Sequence, residues 1–211
     1  MWWAGGMGWW IDRVVPRIVD ASLKGHDVGE LRGRVCEGLH GRVLEIGFGS
    51  GLNTRWYPPT LRQVDAVEPS ELAWEMSADR RLRTTVPVGR VGRDGQSLMV
   101  HDGTYDAALI TFTLCTIPDP AAALSEVRRV LKPGASLRFL EHGISDDPKV
   151  LRWQRRFEPV QRLVAGGCHL TRDPAILIEE AGLPVRMVEQ VDLPGGPRAW
   201  TTGFLGVAVR P

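Results

Sequence analysis

Short apolar runs bounded by turn residues recur along the chain, a pattern typical of strands that are buried on both faces. Four such runs precede residue 150: 41–46, 64–68, 105–111 and 136–141. The segments between them carry helix signals. Ser70 is a candidate N-cap for a helix to about residue 83, and Asp119 and Asp147 each precede a proline, as at a helix start. Strands that alternate with helices predict an α/β fold with a mostly parallel sheet and helices on both faces.

The two ends of the chain depart from this alternation. Strand-like runs at 185–191 and 201–209 are joined by a turn segment, 193–197, in which no helix fits, so we expect them to pair antiparallel at the sheet edge. A helical pattern at 11–19 is followed by Gly25 as a stop, and residues 25–40 are expected to form a glycine-rich connection. These six runs predict a sheet in which only the last strand is reversed.

Bulk composition indicates one domain without a strong global charge. The 211 residues include 26 basic and 25 acidic side chains, which gives no field that would collect nucleic acid. No apolar run reaches the roughly 20 residues of a membrane span, and the first residues lack a secretory signal. We therefore expect a cytoplasmic protein, soluble or at most associated with a membrane surface.

Cysteine and tryptophan usage adds two expectations. Cys36, Cys115 and Cys168 are far apart in the sequence and form no Cys-x-x-Cys pair, so we expect reduced thiols and no metal ion. Half of the eight tryptophans lie in the first ten residues: Trp2, Trp3, Trp9 and Trp10. Tryptophan favours positions where one ring edge is wet. We interpret residues 1–40 as an aromatic lid and helix ahead of a domain at 41–211; the alternative for the tryptophans is contact with a membrane or lipid.

A glycine turn directly after the first predicted strand is a candidate ligand site. Gly47, Gly49 and Gly51 let the backbone turn sharply and let a ligand approach atoms that a side chain would cover. A dinucleotide fingerprint would have its third glycine at the position of Leu52, so the spacing counts against NAD or FAD. Glu45, at the entry to the turn, would repel a pyrophosphate but can accept hydrogen bonds that come from an ammonium group through neighbours or water.

Glu68 places a second carboxylate at the end of the next predicted strand. A carboxylate in that position can accept both hydroxyl hydrogens of a ribose. S-adenosylmethionine carries a ribose, an ammonium and a sulfonium but no phosphate, so it fits Glu45 and Glu68 better than a dinucleotide does. The alternative is that both are ordinary solvated carboxylates at strand ends.

Four motifs in order resemble the class I methyltransferase core: 43–51, 67–70, 106–110 and 127–134. The resemblance covers about half of the chain. It implies a Rossmann-like fold whose mostly parallel sheet has seven strands with the last one antiparallel, S-adenosylmethionine as cofactor and S-adenosylhomocysteine as product. It also implies further cofactor contacts, at Pro69, Gln96, Ser97, Leu98 and Thr111. In this interpretation the polar residues at 96–97 recognise the adenine edge, although ordinary loop hydrogen bonding explains them as well.

Segments outside this core resemble the membrane-associated alkyl-thiol S-methyltransferases of the methyltransferase-like group: 113–116, 139–142, 153–154, 158–159 and 167–172. Asn53, a further cofactor-contact candidate, and Tyr57 also match, while His169 replaces a usual asparagine. The resemblance implies a small lipophilic thiol as acceptor. Because quinone C-methyltransferases and phospholipid N-methyltransferases share most of the core, a quinone, phenol or lipid amine acceptor stays open, as does a catalytically silent relative.

The acceptor side carries one candidate catalytic residue. Methyl transfer from a sulfonium is an in-line displacement in which alignment dominates, so a base is optional. His142, after the fifth predicted strand, is the group expected to take a thiol proton, and the alternative is a loop histidine. The expected acceptor pocket, under a cover segment at about 144–175, comprises Trp9, Trp10, Cys115, Trp153, Phe157 and His169. Cys168 and His169 are not expected to act as a pair, because adjacent side chains rarely point together.

Overall fold

The computed structural model describes residues 8–211, so Trp2 and Trp3 lie outside the described residues. The strands are β1 (Gly41–Ile46), β2 (Leu61–Val67), β3 (Val88–Gly92), β4 (Tyr105–Thr111), β5 (Leu131–His142), β6 (Val185–Asp192) and β7 (Thr202–Val209). The helices are α1 (Gly8–Arg13), α2 (Val15–Leu23), α3 (His26–Cys36), α4 (Glu71–Met76), α5 (Ala78–Arg83), α6 (Pro120–Val130), α7 (Pro148–Val164), α8 (Pro174–Glu180) and α9 (Arg198–Thr201).

All seven strands form one sheet in the order β3-β2-β1-β4-β5-β7-β6. The first five strands pair in parallel, and β7 lies antiparallel to both β5 and β6. The predicted topology, with only the last strand reversed, is confirmed. Strand order turns around between β1 and β4, and in open α/β sheets ligands bind in the crevice outside the carboxyl ends of the strands at such a point.

The core lies on both faces of the sheet because successive strand residues point to opposite sides. On one face, buried residues of β1, β4 and β5 pack against α6, whose Leu124 and Val127 are fully buried. On the other face, the alternate residues of the same strands pack against Val35 and Cys36 of α3. Each fully buried side chain of this size contributes roughly 1.5–3 kcal/mol. The carboxyl ends of β1, β2 and β4 are therefore rigidly placed.

Helix α3 occupies a segment that was expected to be a glycine-rich connection, so that prediction was wrong. Gly29 and Gly33 lie on the helix face that packs against Trp56. A Cβ atom at Gly29 would lie 2.9 Å from the Trp56 ring, and one at Gly33 would lie 3.0 Å from it. The two glycines therefore serve close packing of a helix, at some cost in helix propensity.

Smaller differences concern helix ends. The helix expected from Ser70 to residue 83 is interrupted at Ser77 and forms α4 and α5. The single turn α9 lies between β6 and β7, where no helix was expected. Ser70, Asp119 and Asp147 act as the predicted N-caps, each accepting a main-chain N–H of the following turn. Within residues 8–211, no helix combines the length and the apolar composition needed to cross a membrane.

Candidate active site

The glycine loop that follows β1 forms one wall of the site. Gly47, Gly49 and Gly51 have φ angles of +74°, +57° and +78°, which a side chain disfavours. The N–H of Gly47 donates to the carbonyl of Val67 at 2.9 Å, which ties the loop to the end of β2. A Cβ atom on Gly49 would enter open space, with its nearest neighbour 3.9 Å away. The loop therefore leaves a cradle beside Gly49 that is free of side chains, as a ligand such as S-adenosylmethionine requires.

Glu68, the first residue after β2, holds this loop in place. One carboxyl oxygen accepts the N–H of Gly49 at 2.6 Å, and the other accepts the N–H of Ser70 at 2.7 Å. The side chain is only 5% exposed, and burial raises its pKa, although the two N–H donors oppose that shift. The view of Glu68 as a solvated surface carboxylate was wrong. Each oxygen has a further lone pair, so ribose hydroxyls can still be accepted.

Glu45 lies fully buried beneath the loop, in a network of polar side chains. It accepts hydrogen bonds from Asn53 at 2.9 Å and from the Tyr57 hydroxyl. Thr111 is the last residue of β4, and its hydroxyl oxygen accepts hydrogen bonds from Asn53 at 2.9 Å and from Arg32 at 3.1 Å. Arg32 also donates to the amide oxygen of Asn53 at 2.6 Å. Burial raises the pKa of Glu45 to about 7 and lowers that of Arg32 to about 10. An effect of Glu45 on a ligand would therefore pass through these neighbours, and its place in the cofactor site stays a prediction.

Arg32 is a site residue that sequence reasoning missed, because α3 itself was not predicted. The apolar spacing of Val28, Leu31 and Val35 was the available signal for a helix that turns Arg32 inward. The guanidinium lies 5.2 Å from the centre of the Phe112 ring. Phe112 has a φ of +53°, and a residue without glycine's freedom costs about 1–3 kcal/mol there. Strained backbone of this kind marks the end of β4 as part of the site.

The predicted adenine loop follows β3 and is held by hydrogen bonds within the protein. Gln96 accepts the main-chain N–H of Asp119 through its side-chain oxygen at 2.9 Å. Leu98 is buried at 7% exposure, while Ser97 and Pro69 are exposed. Loop hydrogen bonding therefore accounts for part of this segment, and its contact with adenine stays a prediction.

On the acceptor side, the fold brings His142 together with two cysteines. His142 ends β5, Cys115 lies in the loop after β4, and Cys168 lies in the loop after α7. Their ligand-type atoms all lie within 4.8 Å of one another. Burial lowers the pKa of His142, so the imidazole is neutral at pH 7. Separation along the chain gave no indication that Cys115 and Cys168 meet.

The two described tryptophans of the N-terminal segment lie on α1 and differ in exposure. Trp10 donates its indole N–H to the carbonyl of Val164, at the end of α7, at 2.9 Å. Trp9 is 68% exposed. One tryptophan thus anchors α1 against the cover segment, and a role of either ring in acceptor binding stays a prediction.

The remaining acceptor-pocket residues lie on or after α7. Trp153 stacks on Phe157 with 5.4 Å between ring centres, and Trp153 lines an open groove together with basic side chains of the same helix. The His169 ring lies 3.1 Å from the Glu158 carboxylate. It is therefore directed toward Glu158, whereas the neighbouring Cys168 side chain lies within 4.8 Å of Cys115 and His142. Of the residues expected in the pocket, the structure brings Cys115 to His142.

Both the strand order and the cradle beside Gly49 are those of a class I, S-adenosylmethionine-dependent methyltransferase. A family profile described as "Methyltransferase domain" matches residues 44–139. The chain is 35% identical over 186 residues to thiol S-methyltransferase TMT1B of Homo sapiens, an alignment that covers 82% of this chain and 73% of that protein. It is 36% identical over 146 residues to TMT1B of Rattus norvegicus, covering 66% of this chain and 58% of that protein.

A solved structure shares the fold. Phosphoethanolamine N-methyltransferase 2 of Haemonchus contortus, in complex with phosphomonomethylethanolamine and S-adenosylhomocysteine, superimposes with a TM-score of 0.72 at 14% identity, over 99% of this chain and 61% of that one. The chain belongs to the class I S-adenosylmethionine-dependent methyltransferases.

Proposed function

We propose that this methyltransferase acts on the sulfur of a small lipophilic thiol. The alignment with the human thiol S-methyltransferase carries the proposal, because it spans 186 residues whereas the methyltransferase-domain profile spans residues 44–139. The alignment therefore extends well beyond the core that the profile describes.

The cofactor side is formed by residues from three strand ends. The cradle at Gly49 suits the methionine portion, Glu68 suits the ribose, and Leu98 is our candidate for the residue that covers an adenine face. When bound, S-adenosylmethionine supplies an electrophilic methyl group with a neutral thioether as leaving group. The chain's own contribution is to orient the acceptor and exclude water, and proximity of this kind is worth roughly 7–11 kcal/mol.

The acceptor side must favour the thiolate form of the acceptor. A thiol with a pKa of about 8.5 is only a few per cent thiolate at pH 7, so a group that binds its proton or its sulfur accelerates transfer. His142 is neutral and 7% exposed, which leaves an imidazole nitrogen available for either purpose. Cys115, 5% exposed beside it, forms part of the same wall.

The test compares acceptors that differ only in the acceptor atom. The purified chain is incubated with S-adenosylmethionine and hexanethiol, hexanol or hexylamine, and mass spectrometry measures the methylated product together with S-adenosylhomocysteine. We expect a methyl thioether from hexanethiol alone, and no product from the Gly49→Val variant, in which the cradle is filled. Product from the alcohol, the amine or an added quinol, with none from the thiol, would contradict the proposal. So would binding of S-adenosylhomocysteine without turnover of any acceptor.

A further inference from the structure

Three side chains of the types that bind soft metal ions converge at the acceptor side of the sheet. The Sγ atoms of Cys115 and Cys168 and a ring nitrogen of His142 all lie within 4.8 Å of one another. The main chain fixes this proximity, because the N–H of His169 donates to the carbonyl of Cys115 at 2.8 Å and joins the two cysteine loops. The main chain therefore holds the loops that carry Cys115 and Cys168 next to each other.

His142 is buried without the partners that a buried histidine requires. It is 7% exposed, and neither ring nitrogen has a hydrogen-bond partner among the described residues. The main chain of Ala199 faces the ring without meeting hydrogen-bond geometry. Buried polar atoms are almost always paired, so a buried imidazole without a hydrogen bond of ordinary geometry is able to bind a ligand.

A fixed positive charge faces the two thiols. Arg172 is anchored by the carbonyls of Leu114 and Ile117, at 2.6 and 2.7 Å, and its guanidinium faces both thiols. A fixed cation beside two cysteines favours the thiolate form, which is the form that binds metals.

We propose that Cys115, His142 and Cys168 bind a zinc ion and leave its fourth coordination position open for the sulfur of the acceptor thiol. Two cysteines and one histidine with an open position form a known type of catalytic zinc site. Zinc lies about 2.3 Å from sulfur and about 2.0–2.1 Å from nitrogen, which sets neighbouring tetrahedral ligands about 3.5–3.8 Å apart. The ligand atoms now lie at most 4.8 Å apart, so metal binding requires each pair to approach by about 1.3 Å at most.

A zinc ion would favour the thiolate form of the acceptor without a change in the oxidation state of the metal or the sulfur. On metal binding, Cys115 and Cys168 release their protons to solvent and each sulfur forms a bond to zinc. An acceptor thiol that enters the fourth position likewise loses its proton to solvent and becomes a zinc-bound thiolate. His142 is then a ligand and not a free base. The role of the fourth position rests on the proposed function, whereas metal binding itself does not.

A disulfide between Cys115 and Cys168 is the competing explanation for their proximity. It would require an external oxidant, and it would leave both nitrogens of His142 unpartnered. A metal ion accounts for all three side chains at once, which is why the observations favour it.

The first experiment measures metal binding without cofactor or acceptor. The full chain, purified in the presence of zinc, should retain about one zinc ion per chain after dialysis. Cys168→Ser and His142→Gln should each weaken zinc binding at least about tenfold, since even outer partners of metal ligands contribute that much. Cys36→Ala is the matched control, because Cys36 is a buried cysteine of the α3 core outside the cluster, and it should retain the metal.

Several results of that experiment would overturn the site. These are wild-type protein without zinc, equal zinc content in Cys168→Ser and wild type, and a Cys115–Cys168 disulfide in protein handled without reductant. Should the variants fail to fold, wild-type protein alone decides the matter: removal of zinc by a chelator should lower its melting temperature, and an unchanged melting temperature would overturn the site.

The second experiment tests the open position separately from methyl transfer. Cobalt replaces zinc, and its visible spectrum reports the number of thiolate ligands. Addition of hexanethiol should change that spectrum in the absence of S-adenosylmethionine, whereas hexanol should not. An unchanged spectrum would overturn the role of the fourth position. Metal and thiol binding without methyl thioether formation would leave this site standing and contradict the proposed function instead.

Discussion

Replacement of Glu68 by alanine separates two roles of one carboxyl group. In the structure this group accepts the N–H of Gly49 and of Ser70 and thereby fixes the glycine loop. A hydrogen bond to a charged group contributes about 1.5–3 kcal/mol, and the burial that raises the pKa of Glu68 offsets part of the contribution of the two bonds. Loss of both should lower the free energy of unfolding by about 3 kcal/mol. A solvated carboxylate would give no change.

The same substitution should also weaken cofactor binding. Loss of ribose contacts worth about 1.4 kcal/mol or more corresponds to at least a tenfold rise in the dissociation constant of S-adenosylhomocysteine. Glu68→Gln adds a second comparison, because its amide keeps one acceptor for one N–H but sets a donor against the other. We expect its stability and affinity to lie between those of wild type and Glu68→Ala.

Urea unfolding measures the stability and isothermal titration with S-adenosylhomocysteine measures the affinity. Glu75→Ala is the matched control, because Glu75 is a nearby carboxylate that lies exposed on α4. Surface substitutions of this kind usually change stability by no more than about 0.5 kcal/mol, so the control should change little. If Glu68→Ala matches this control in both measurements, the carboxyl neither holds the loop nor binds the cofactor.

Three further predictions concern Glu45, Gly49 and Gly206. Burial raises the pKa of Glu45 from 4.5 to about 7, so folding favours its protonated form. Relative to Glu45→Gln, the unfolding free energy of wild type should fall by about 3 kcal/mol as the pH rises from 4.5 through 7, and should then level off. A difference between the two proteins that does not change with pH in urea unfolding would contradict this prediction. Gly49→Val should leave the far-UV circular dichroism unchanged but abolish calorimetric binding of S-adenosylhomocysteine; undiminished affinity would count against the cradle. Gly206→Ala should lower the unfolding free energy by at least about 1–3 kcal/mol, because its Cβ would lie 2.3 Å from the Phe139 ring and 2.6 Å from the Met187 carbonyl, and an unchanged urea midpoint would refute that contact.

The sheet could be predicted from sequence because its strands are buried on both faces and therefore appear as apolar runs. Strand β4 was placed at its observed ends, and the antiparallel pairing of β6 with β7 followed from the turn between them. Helix α3 could not be predicted in the same way. Gly29 and Gly33 indicate a loop when the local sequence is considered alone. In the structure they make room for the ring of Trp56, which follows more than 20 residues later in the chain. The packing of α3 against Trp56 thus outweighs the low helix propensity of glycine, and this contact cannot be seen in the local sequence.

The site residues show the same difference between local and tertiary signals. The glycine loop and Glu68 could be predicted because each lies directly after a strand, in a short contiguous motif. Cys115, His142 and Cys168 were not connected, because their proximity is set by strand register. Strands β4 and β5 pair in parallel, with Thr111 opposite Leu140, so residues that follow both strands emerge at one edge of the sheet. Cys115 and His142 both lie a few residues beyond that pair. A search for metal ligands by spacing along the chain therefore fails in this fold, whereas a search that aligns the ends of adjacent parallel strands would have brought these two residues together.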